Sequence, residues 1–120
     1  MSDKAWKAWE RTVAKIFGTK RRGPMFRNED GGTDDCTHAW YAIECKLLSR
    51  PTFGQLLDAC RQAEGAAMVT RCVEIDEAEK SITLDSTQER EPIAIVKRKG
   101  DRMEDALVIQ RLATFRAWHL

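Results

Sequence analysis

The chain has 120 residues, 42% hydrophobic and 32% charged, with 20 Lys and Arg against 19 Asp and Glu. This composition suits one compact domain and excludes a disordered, collagen-like or coiled-coil chain. No apolar run approaches the roughly 18 residues that cross a bilayer, and Met1-Ser2-Asp3-Lys4 lacks the basic-then-apolar profile of a secretory signal. The expectation is a single cytoplasmic domain over residues 1–120, with no membrane partner.

Charge is unevenly distributed. Residues 1–27 carry a net +6, residues 28–35 a net −4, residues 36–72 a net +1, residues 73–92 a net −5 and residues 93–120 a net +3. A near-neutral total therefore hides two basic ends and two acidic blocks. An acidic cluster between basic flanks can hold a cation beside a phosphate chain. Cys36, Cys45, Cys60 and Cys72 form no C-x-x-C pair, so free thiols packed as small hydrophobes are expected rather than a zinc site or disulfide framework.

In chain order, Trp6, Trp9, Val13, Ile16 and Phe17 recur at helical spacing and predict an amphipathic helix over 5–17, ended by Gly18. Glu10 falls at the edge of that apolar arc, apart from Lys4, Lys7, Arg11 and Lys15, and a carboxylate there needs a reason. Thr19 to Gly32 reads as a basic, Pro- and Gly-punctuated loop with a short irregular strand around Met25-Phe26. Cys36 to Leu48 reads as strand, with Glu44 and Lys46 on one face and Ile43, Cys45 and Leu47 on the other.

Thr52 can cap a second helix carrying Phe53, Leu56, Leu57, Cys60, Ala63 and Ala67 on one side, with Gln55 and Gln62 sharing another. Residues 73–92 are acidic and weakly patterned: a continuation of that helix followed by a loop or a hairpin through Ile82 to Leu84. Ile93 to Val96 reads as a buried strand, Lys97 to Asp105 as a charged turn, Leu107 to Ile109 as a strand and Arg111 to Trp118 as a short helix. Helices interleaved with strands predict an α/β fold with a mixed β-sheet flanked by helices.

The sharpest local pattern is Asp34-Asp35, then eight residues, then Glu44-Cys45-Lys46. Acidic side chains brought together from neighbouring strands can share a hard cation that keeps positions open for phosphate. Lys46, on the face of Glu44, can reach the same space, and such a set supports phosphodiester hydrolysis. Each piece also has an ordinary structural explanation: Asp-Asp after Gly-Gly is common turn chemistry, and E-x-K on a strand is commonly a solvated salt bridge. His38 and His119 are too isolated for zinc, though His38 can touch DNA, and Ser49 and Ser81 have no triad partners.

Taken in order, Glu10, Asp35, Glu44 with Lys46, and Gln62 resemble the motif residues of the PD-(D/E)XK nuclease superfamily, and the likeness covers nearly the whole chain. It is most similar to the small phage-type and archaeal-type Holliday junction resolvases. The resemblance implies a restriction-endonuclease-like core of order α-β-β-β-α-β and a Mg²⁺- or Mn²⁺-dependent endonuclease acting on duplex or branched DNA as a homodimer. It implies Asp35, Glu44 and the Cys45 main-chain carbonyl as metal ligands, Glu10 as a ligand through water or to a second ion, Lys46 as the residue that orients or deprotonates the attacking water, and Gln62 as a positioning group. Lys20, Arg21, Arg22, Arg27 and Thr33 would contact DNA phosphates, which position without specifying sequence. Two departures stand out. No Pro precedes the Asp, so Asp34 competes with Asp35, which is preferred because Cys36 continues the apolar strand; and the acidic block 73–92 is longer than the expected helix-to-strand link. A non-catalytic DNA-binding or assembly protein on the same scaffold is the alternative.

Overall fold

The computed structural model describes residues 2–21, 35–38, 40–69, 73–76, 81–84 and 89–120. In chain order these form α1 (Ser2–Ile16), β1 (Lys20–Arg21), β2 (Cys36–Thr37), β3 (Tyr41–Leu48), α2 (Phe53–Val69), β4 (Val73–Asp76), β5 (Ser81–Leu84), β6 (Glu91–Arg98), a 3₁₀ turn (Met103–Asp105), β7 (Leu107–Ile109) and α3 (Leu112–His119). The sheet order is β1-β2-β3-β6-β7, with β4 and β5 as a separate antiparallel hairpin. Among the described residues only the β3–β6 pair is parallel; β1–β2, β2–β3 and β6–β7 are antiparallel, which makes a mixed sheet in a small α/β fold. Among the described residues no helix is long and apolar enough to cross a membrane.

Local chemistry sets the helix ends. Gly18, at φ +68°, takes the left-handed position after α1, while the N–H groups of Gly18 and Thr19 bond back to Lys15 O and Ala14 O at 3.1 and 2.8 Å. That pair of bonds closes the last turn and turns the chain toward β1. At the start of α2, Thr52 Oγ1 accepts the Gln55 N–H at 3.2 Å and Gln55 Oε1 accepts the Thr52 N–H at 3.0 Å, a reciprocal capping box.

Strand alternation then divides the core. Ile43 and Cys45 of β3 face α1 and pack with Trp9, Val13, Ala14, Cys36, Ile93 and Ile95. Ala42 faces the other way, onto Ala66 and Ala67 of α2, and Ala94 and Val96 of β6 meet Ala59. Alanines on both sides let α2 lie close to the sheet. By the same alternation Glu44 and Lys46 share the α2 face.

The sequence reading needs several corrections, the first being that Lys20–Arg21, read as loop, is strand β1 paired with β2. Cys36 to Leu48 is two strands: the chain turns at 38–40, where His38 Nδ1 accepts the N–H groups of Trp40 and Tyr41 at 3.0 and 3.2 Å. Within 73–92, Val73–Asp76 and Ser81–Leu84 form a hairpin, so the helical continuation is wrong there. β6 begins at Glu91 and runs to Arg98, beyond the expected 93–96 at both ends. Pro92 fits because it sits next to the first position of the strand, where a missing N–H is tolerated. The expected strand around Met25-Phe26 lies outside the described residues.

Candidate functional site

At the start of β2, Asp35 feels the charges of Glu44, Glu10 and Lys46, three of the other four motif side chains. Asp35 immediately precedes β2 and is tied to β3 twice: its N–H donates to Ile43 O at 2.7 Å, and its Oδ2 accepts the Cys45 N–H at 2.7 Å. Glu44 is buried on β3, and its Oε1 lies 3.3 Å from Lys46 Nζ. Glu10 comes from the opposite layer. It is only 2% exposed and is among the largest fully buried side chains, with its carbonyl contacted by Cys36 Sγ at 3.9 Å. The apolar arc of α1 therefore carries a carboxylate into the protein, near enough to Asp35 to repel it.

Electrostatics register that crowding. Burial, followed by repulsion from Glu44 and, more weakly, Glu10, raises the Asp35 pKa from the ordinary 3.8 to about 8, against the pull of the Cys45 N–H and Lys46. Three carboxylates and one ammonium in a partly dry space leave an excess of negative charge when ionised. Cys36 Sγ and Cys45 Sγ lie 4.0 Å apart, and that contact together with burial holds the Cys45 thiol far above the usual thiol range. Both cysteines are free and packed in the core, as the composition predicted, and so is Cys60.

Among the described residues no three His, Cys, Asp or Glu side chains form a ready ligating group. One Asp35 oxygen is turned to the Cys45 amide and one Glu44 oxygen to Lys46. The donor chemistry nevertheless suits a hard cation, since carboxylate and carbonyl oxygens are what Mg²⁺ and Mn²⁺ accept. Because the N–H and C=O of a strand residue point to the same edge, the Cys45 carbonyl lies on the Asp35 side of β3.

Gln62 is not brought into this group. It is exposed on α2. At 100° per residue it lies on the flank of α2 away from Glu64, and Glu64 is held by Arg111 and Thr114 on the α3 side. Gln62 thus occupies the flank nearer β3 and its Glu44 and Lys46. Lys20 is exposed on β1. Asp34, Arg22, Arg27 and Thr33 lie outside the described residues, as does the Arg21 side chain.

Sequence reasoning missed Arg90. It is buried just before β6, and its Nη1 donates to His38 O at 2.6 Å and Tyr41 O at 3.2 Å. It thereby fastens the turn that sets β2 against β3, and Asp35 against Cys45. Its sequence signal is slight: it is one of two bases, with Lys80, in the acidic block. His38 is part of the same turn, with its Nδ1 committed to backbone N–H groups.

No protein-family model, curated protein or solved structure matches the chain.

Proposed function

We propose that the protein is a divalent-cation-dependent endodeoxyribonuclease with a restriction-endonuclease-like core, of the branched-DNA resolvase kind, working in the cytoplasm. The observation that carries this reading is the convergence of Glu10, Asp35, Glu44 and Lys46 from α1, the start of β2, and β3, in a setting that drives the Asp35 pKa to about 8. Helix, antiparallel meander, helix and parallel strand in that order support the same reading, with the β4–β5 hairpin inserted before β6.

Asp35, Glu44 and the Cys45 carbonyl would hold Mg²⁺ or Mn²⁺, with Glu10 behind them. Such an ion, when bound, lowers the pKa of water and offsets charge building on a phosphodiester. The chain's own residues do the rest. Lys46, held by Glu44 and partly exposed, presents an ammonium to the open side, where it orients water and meets phosphate charge. Arg90 keeps the β2–β3 turn, and hence Asp35, in register. Lys20, with Arg21, Arg22, Arg27 and Thr33 in the same stretch, supplies the phosphate contacts, and Gln62 completes the rim from α2.

A cleavage panel tests this: supercoiled, linear and four-way-junction DNA, with Mg²⁺, with Mn²⁺ and with chelator. Cation-dependent cuts are expected on at least one form, with Lys46→Ala slowing them by roughly 10²–10⁴-fold, the usual range for a proton-handling group. DNA binding without cuts on any form would replace this reading with the non-catalytic one.

A further inference from the structure

On the α1 face of the sheet, opposite to Glu44 and Lys46, lies a pocket of about 350 Å³. Ala5, Ala8 and Trp9 of α1 wall it on one side; Leu47 of β3, Lys97 near the end of β6 and Lys99 just beyond wall it on the other. Strand alternation explains the mixture. Ile93, Ile95 and Lys97 succeed one another on the face of β6 that meets α1, and Leu47 is the register partner of Lys97, so an apolar row ends in an ammonium. A turn closed by the Asp101 N–H on Arg98 O at 3.1 Å, with Gly100 at φ +87°, follows and leaves Lys99 on the same pocket.

Among the described residues no acid lines this pocket. Asp101 turns its Oδ2 to Arg98 Nε at 2.8 Å and gives the Lys97 ammonium its main-chain carbonyl, also at 2.8 Å, so its carboxylate does not neutralise Lys97. The same ammonium stands 5.6 Å from the centre of the Trp9 ring. Trp9 is 4% exposed, and its Nε1 is buried with no hydrogen-bond partner among the described residues. A buried indole N–H can only donate, and one without an acceptor is rare in folded proteins.

We propose that this pocket binds a phosphate group carried on an apolar body, as in a nucleoside monophosphate. Charge selects the head group: a phosphate monoester carries about −1.5 to −2 at neutral pH, which two lysines balance, and lysine meets phosphate as a point charge. Volume and lining select the body. The pocket lies at the small end of the roughly 300–1,000 Å³ of small-ligand sites, and Ala5, Ala8 and Leu47 give it apolar walls. On binding, Lys97 exchanges the Asp101 carbonyl for a phosphate oxygen, and the anion it holds is brought to the Trp9 ring, whose N–H gains an acceptor. The DNA backbone offers related phosphate chemistry, so the two sources are separated by experiment. Nothing in this site draws on the carboxylate centre or on a divalent cation.

Heteronuclear NMR on the isotope-labelled full chain in chelator tests the site, with the Trp9 indole resonance identified by its loss in Trp9→Phe. Adenosine monophosphate is expected to shift that resonance saturably at millimolar concentration or below, while adenosine at the same concentration leaves it in place. Lys97→Met and Lys99→Met keep the aliphatic stem and remove the charge, and each should weaken the nucleotide at least tenfold; Lys46→Ala, on the other face, should not. A short DNA duplex is titrated in parallel. A shift at lower concentration of duplex than of nucleotide supports the site with DNA as the source of the phosphate, and a shift with nucleotide alone supports it with a free nucleotide as the source. No shift with either, an equal shift with adenosine, or an affinity unchanged in both lysine variants overturns the proposal. Each readout is binding without cation, so this inference and the nuclease reading fail separately.

Discussion

Replacing Asp35 with Asn should remove the pH dependence that this buried carboxylate imposes on the cation-free protein. Unfolded, Asp35 gives up its proton near 3.8; folded, it does so near 8, chiefly because of burial and then Glu44. Between those values the folded chain holds one more proton than the unfolded chain, so stability falls as pH rises, by at most ~1.4 kcal/mol per pH unit. Over that window the ceiling is roughly 6 kcal/mol, and side-chain relaxation and water entry bring the expected loss to about 2–3 kcal/mol. Asn keeps an oxygen for the Cys45 N–H and cannot ionise, so Asp35→Asn should be the more stable protein at alkaline pH in chelator and similar to wild type in mild acid. Urea unfolding of both proteins at about pH 5 and pH 9 measures the difference. Equal losses on raising the pH would show that Asp35 does not share a buried space with Glu44 and Glu10.

Ile43→Ala, at a fully buried position between α1 and the sheet, should cost about 3 kcal/mol in urea unfolding; a loss well under 1 kcal/mol would place Ile43 outside the core. Thr52→Ala should cost about 1 kcal/mol by opening the capping box, with Thr52→Ser restoring most of it. Glu64 is held below the usual glutamate range, chiefly by its hydrogen bond to Arg111, so its contribution is present above the ordinary value and is lost as pH falls through the folded one. Glu64→Gln should therefore lower the thermal midpoint at neutral pH and leave it unchanged in strong acid; a deficit that persists in acid would mean that packing, not ionisation, is at work.

How much of this was legible in the sequence follows from the range of the interactions involved. The α1 arc, the Thr52 cap and the Glu44/Lys46 face depend on residues within a few positions of one another, and the structure has each of them. Ile16 belongs to the same periodicity but is exposed, because it sits at the end of α1 and the sheet is covered instead by Ala14 and Phe17. The turn at 38–40 was hidden by Trp40 and Tyr41, strong strand formers that extend the apparent strand. Pro92 masked the true start of β6. At the site, spacing alone could place Glu44 beside Lys46 and suggest that Asp35 joins them from a neighbouring strand, but the approach of Glu10 from a helix more than twenty residues earlier was suggested only by the family resemblance. Arg90 was missed because its two acceptors lie about 50 residues earlier, a distance at which no local pattern survives.

The central claim, that Glu10, Asp35 and Glu44 form one cation-binding centre, is tested most directly by titrating Mn²⁺ into chelator-stripped protein and following free Mn²⁺ by electron paramagnetic resonance. Wild type should bind the ion, Lys46→Ala should still bind it, and Asp35→Asn and Glu44→Gln should each lose at least tenfold in affinity. No binding by wild type, or binding unchanged by both carboxylate substitutions, would contradict the account.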